Sequence, residues 1–67
     1  MIRQHIEEEA QREARRILAG RDPEARDWRA AGYITARQAA EALVGDLDRG
    51  PVWDRTVELV TAAIAKE

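Results

Sequence analysis

The chain has 67 residues, no cysteine, and a net charge of −2 from eleven basic and thirteen acidic side chains. That length supports one domain at most, and the missing cysteines exclude disulfide staples and thiol nucleophiles. The near-balance of charge gives no long-range field to gather nucleic acid or an anionic membrane, and MIRQHIEEEA is too charged for a secretory leader or a membrane span, so a cytoplasmic protein is expected.

Ten of the eleven basic residues are arginine, and serine, asparagine and phenylalanine are absent, a bias common in small bacterial or phage reading frames of high GC content. Residues 1–20 carry four charges of each sign and residues 21–37 a slight basic excess, whereas residues 38–67 hold six acids against three bases.

From Ile2 to Ala19, Ile2, Ile6, Ala10, Ala14, Ile17 and Leu18 recur at helical spacing, with Glu7, Glu8, Arg12, Arg15 and Arg16 mostly on the other side. This predicts an amphipathic helix over 2–19. Its acids come first and its arginines last, which suits the helix dipole, and Glu8–Arg12 is the favourable pair four residues apart. Gly20 is the expected stop.

Asp22-Pro23-Glu24 reads as a helix start: the aspartate can cap free amides, and proline is harmless at the first helical position. A short second helix is expected over 23–31, held by Trp28 and ended by Gly32. Thr35-Ala36-Arg37-Gln38 has the spacing of a capping box, with Ile34 before it as a hydrophobic staple, and predicts a third helix over 35–48. Ala36, Ala39, Ala40, Leu43, Val44 and Leu47 form its apolar stripe, while Gly45 weakens it by roughly 1 kcal/mol relative to alanine. Gly50-Pro51 then opens a last helix over 51–66, whose stripe is Trp53, Val57, Val60 and Ile64.

The expected fold is therefore all-α, a single small bundle over 1–67 of three long helices plus one short helix, with no strands. Its large apolar residues are Ile2, Ile6, Ile17, Leu18, Trp28, Ile34, Leu43, Val44, Leu47, Trp53, Val57, Val60 and Ile64. That is a thin core, which favours self-association or a partner.

Chemistry-bearing constellations are few. With no serine or cysteine, and His5 as the one histidine, the usual nucleophilic machinery is missing and no catalytic residue is expected; an enzyme built on carboxylates is the weakest of the functional readings. His5 and Glu9, one turn apart, make two potential metal ligands, which is short of a site. Asp46-Leu47-Asp48-Arg49-Gly50 resembles the opening of a calcium loop, but Gly50 stands at the third acidic position, Pro51 at the glycine position and Val57 where the bidentate glutamate belongs. No metal, cofactor or small-molecule substrate is expected.

Thr35-Ala36-Arg37-Gln38-Ala39-Ala40-Glu41-Ala42-Leu43 resembles the first helix of a helix-turn-helix, which implies a DNA-binding regulator. The segment that would then enter the major groove carries Asp46, Asp48, Asp54 and Glu58 against Arg49 and Arg55, a charge balance that phosphates oppose; Arg26, Arg29 and Arg37 are the remaining basic candidates. Contact with another protein, or with a second copy of the chain, is the favoured reading: a regulatory or inhibitory binding module acting through an amphipathic, arginine-bearing helix face. Arginine and tryptophan dominate binding hot spots, which singles out Arg12, Arg15, Arg16, Trp28 and Arg29 as partner-binding residues.

Overall fold

The computed structural model describes residues 3–21, 28–45 and 50–66, and among them the protein is all-helical. Three helices appear in chain order: α1 (Arg3–Ala19), α2 (Ala36–Val44) and α3 (Pro51–Ala65). The chain measures 38 × 20 × 20 Å. No helix among the described residues is long and apolar enough to cross a membrane.

α3 lies at the centre. It packs against both α1 and α2, which scarcely touch each other. Trp53, Val57, Val60 and Ile64, spaced four, three and four residues apart, are all buried and form one side of the core. Thr56 is buried on the same side, and its hydroxyl donates to the Val52 carbonyl at 2.6 Å, so the polar atom is not left unsatisfied. Pro51 occupies the start of α3, where its missing N–H is no loss, and Asp54 sits in the first turn near the positive end of the dipole. From α2 the core takes Ala39, Ala40 and Val44; from α1 it takes Ala14, with Ile17, Leu18, Trp28, Ala36 and Leu59 partly buried against it.

The start of α2 follows the capping-box expectation closely. Thr35 is extended and its hydroxyl accepts the Gln38 amide at 3.1 Å. The Gln38 side chain reaches back, but to the Ile34 amide at 3.1 Å, one residue before the cap. Ile34 does not act as a staple: it is 82% exposed and contributes nothing to the core.

Two glycines explain why the helices differ from expectation. The segment 28–32 is a run of turns, so no fourth helix appears there among the described residues, and Asp22 to Asp27 lie outside them. Gly32 has φ +98°, and the Gly32 amide donates to the Arg29 carbonyl at 3.0 Å while the Tyr33 amide donates to the Trp28 carbonyl at 3.2 Å. This is the Schellman pairing, which terminates a helical turn, so the expected stop at Gly32 stands; the short helix expected over 23–31 falls partly outside the described residues, and its described end, 28–31, is a turn.

Gly45, with φ +75°, ends α2 at Val44 instead of at residue 48. A glycine in that region of backbone space does more than weaken a helix; it turns the chain where side chains with Cβ are strained. The Gly45 carbonyl is thereby presented to the indole of Trp53, whose Nε1 donates to it at 3.0 Å. Leu43, close to this end and expected in the core from its spacing, is 37% exposed. Ile2, Leu47 and the Asp46–Arg49 stretch lie outside the described residues.

Candidate functional site

The helical period decides which side chains α1 offers to solvent. At 3.6 residues per turn, Arg12, Arg15 and Arg16 fall within roughly 100° of one another, opposite the buried Ala10 and Ala14. All three arginines are exposed. Arg16 is tied to Glu13 by two hydrogen bonds, from Nη2 at 2.6 Å and from Nε at 3.1 Å. Arg12 and Arg15 make no ion pair among the described residues. The expected Glu8–Arg12 pair is thus absent; Glu8 accepts instead from the Gln4 side chain at 3.4 Å. Pairs of this kind on an exposed helix surface contribute only a few tenths of a kcal/mol, so side-chain entropy readily separates them.

Trp28 and Arg29 form a second, smaller feature on the turn that Gly32 closes. The Arg29 guanidinium lies over the Trp28 ring, 4.6 Å from its centroid, in a cation–π stack. Trp28 is half-buried and leans on the core, whereas Arg29 is exposed. The other tryptophan, Trp53, is a core residue and offers no contact surface.

A feature that the linear pattern does not announce links α1 to α3. Arg55, in the second turn of α3, grips the carboxylate of Glu7, in the second turn of α1, with Nε to Oε2 at 2.7 Å and Nη2 to Oε1 at 3.0 Å. Its third nitrogen, Nη1, bonds Glu58 at 3.1 Å, and Gln11 adds a hydrogen bond to Glu7 at 2.9 Å. These donors, Arg55 foremost and Gln11 second, hold the Glu7 carboxyl down at about 2, and the two carboxylates push Arg55 above its usual value. Glu7 and Arg55 sit at the edge of the α1–α3 seam, next to buried positions. Residues 48 apart in sequence carry no local signal that they will meet.

Beside this clasp lies an open groove of about 820 Å³ lined by Arg3, Gln4, Ile6, Glu7, Arg55 and Glu58. Its charged groups are mainly engaged with one another, so it presents few polar atoms to a ligand. A smaller depression is lined by His5, Glu8, Glu9 and Arg12. The guanidinium there opposes a cation, and no cluster of three or more ligating side chains occurs among the described residues. Comparison with protein families, with characterised proteins and with solved structures finds no match to this chain.

Proposed function

We propose that this protein is a small interaction module, a regulatory or inhibitory binding protein, that docks an acidic protein surface on the outward face of α1 through Arg12, Arg15 and Arg16 and that also self-associates. The observation that carries this reading is the outward arginine triplet on a helix whose opposite side is buried, with two of its guanidinium groups lacking an ion pair among the described residues. Guanidinium groups present planar donor forks that match carboxylates in pairs, and such groups raise both specificity and association rate when the opposing patch is acidic. The Trp28–Arg29 stack is a second contact element, because half-buried tryptophan and arginine are the residue types on which binding energy concentrates.

A DNA-binding reading has less support. The side of α3 that faces solvent bears Asp54 and Glu58, and both would repel phosphates in a major groove. Binding to random duplex at low salt, falling steeply as salt is raised, is the result that would favour it over protein contact.

Affinity capture from the native host, comparing the wild-type chain with the triple variant Arg12→Ala, Arg15→Ala, Arg16→Ala, tests the proposal. A partner retained by the wild type and lost by the triple variant, with unchanged helicity by circular dichroism, is the expected result. Equal capture by both chains would rule out the arginine face.

A further inference from the structure

Among the described residues, Ile34 is the most exposed large apolar side chain, at 82%, and Tyr33 beside it is 38% exposed. One apolar side chain in solvent is ordinary on a protein surface. Here two follow one another, on a turn that also carries half-buried Trp28 with the Arg29 guanidinium over its ring. The backbone at this place is fixed from both directions. The Tyr33 amide donates to the Trp28 carbonyl at 3.2 Å, the Ile34 amide donates to the Gln38 side chain at 3.1 Å, and Thr35 caps α2 immediately afterwards. Ile34 is thus held out to solvent by ordered chain, and a group presented in this way loses little conformational freedom when something covers it.

The surrounding charge has one sign. From Trp28 to Ala40 the sequence holds no aspartate or glutamate and two arginines, Arg29 and Arg37, one on each side of the Tyr33–Ile34 pair along the chain. Both arginines are exposed. Arg37 reaches the Glu41 carboxylate only at 4.0 Å, with half of its side chain in solvent, and an exposed pair at that separation contributes little. The segment is therefore apolar at its centre and positive at its edges, in a chain whose net charge is −2.

We infer that residues 28–37 form a docking surface for an acidic segment of a partner protein, one that sets a bulky apolar side chain against Ile34 and Tyr33 and carboxylates against Arg29 and Arg37. Charge complementarity selects this occupant: a basic segment is repelled by both guanidinium groups, and a wholly polar one leaves the isoleucine in water. Trp28 and Arg29, the residue types on which binding energy concentrates, border the same surface. The inference rests on the interaction reading proposed above and does not depend on Arg12, Arg15 or Arg16.

A random peptide library displayed on phage and selected on the immobilised chain supplies the probes. Enriched peptides are then synthesised and titrated by fluorescence anisotropy. They are expected to combine aspartate or glutamate with leucine, phenylalanine or tryptophan, and to bind the Arg12→Ala, Arg15→Ala, Arg16→Ala chain as tightly as the wild type. Ile34→Ala is expected to weaken them about tenfold, and Ile34→Asp more, with circular dichroism unchanged because the side chain contributes nothing to the core. Salt is expected to weaken binding to the wild type, and less so to the Arg29→Gln, Arg37→Gln chain. A selection that enriches nothing, enriched peptides without acidic residues, or equal affinity for wild type and both Ile34 variants overturns the inference. So does a salt dependence unchanged by the loss of Arg29 and Arg37. Peptides that depend on Arg12, Arg15 and Arg16 but not on Ile34 overturn it while supporting the function proposed above.

Discussion

α3 is held from two sides, and the two contacts are built differently. On the α2 side, a bulky aromatic, a valine and two alanines fill the space, and the Trp53 indole closes onto the carbonyl of the glycine that ends α2. On the α1 side, the fully buried residues are alanines, Ile17 and Leu18 pack half-buried against the core, and a half-exposed ion pair supplies the direction. Apolar burial is insensitive to salt and mild acid, whereas an exposed charge pair responds to both. The short helix α2 is therefore expected to hold by its packing alone, whereas the 17-residue α1 depends in part on charge. In small proteins, what a helix buries matters more for its persistence than its length.

The largest expected effect comes from the tighter contact. Trp53→Ala removes a buried ring and leaves the Gly45 carbonyl without its indole donor, a loss of about 3–5 kcal/mol. A chain of this size has roughly 3–10 kcal/mol of stability to lose, at about 0.05–0.15 kcal/mol per residue. Urea unfolding followed by circular dichroism should find the variant largely unfolded; a midpoint close to wild type would show that the α2–α3 contact is not the main support.

Gly45→Ala forces a residue with a Cβ into φ +75° without any clash in the surrounding space, so the strain is purely in the backbone. A loss of about 1–3 kcal/mol is expected, read as a lowered thermal midpoint. A neutral or stabilising result would mean that α2 simply continues past residue 44 once the glycine is removed.

The α1 contact should respond to pH. The Glu7 carboxyl lies at about 2 in the folded chain against 4.5 for the free group, so its contribution is fully present above about pH 4.5 and is lost as pH falls towards 2. Arg55 stays charged throughout. Amide protection factors in α1 should therefore fall selectively on acidification below about pH 4.5, and Glu7→Gln should abolish that selective fall because α1 is already less protected at neutral pH. An equal fall in protection in all three helices would show that acid acts on the fold as a whole.

The smallest effect is expected on the outer face of α1. Replacing Arg12 and Arg15 by alanine removes exposed groups that make no ion pair among the described residues, so stability should change by no more than about 0.5 kcal/mol. A larger loss in denaturant unfolding would reveal that these arginines serve the fold.

Much of this architecture is readable in the residues themselves. The four-three-four spacing of Trp53, Val57, Val60 and Ile64 identifies the inward side of α3, Thr35 marks the start of α2, and Gly20 and Pro51 mark boundaries, because each depends on local backbone chemistry. Ile34 and Leu43 show where such reading stops: helical spacing names the side a residue is on, not whether another element covers it. Leu59 errs in the other direction, packing against the core from outside the main stripe. Gly45 is legible as a weak point in the helix, but the Trp53 indole that reaches its carbonyl from α3 is not. The Glu7–Arg55 clasp depends wholly on how two helices are set side by side. The outward position of Arg12, Arg15 and Arg16 follows from periodicity alone; what they contact does not.

Residue-resolved hydrogen exchange under native conditions tests the central contrast most directly. Amides of α1 are predicted to exchange through an opening of lower free energy than those of α3, with the middle of α3 opening only on global unfolding. A single opening free energy shared by α1 and α3 would contradict the account.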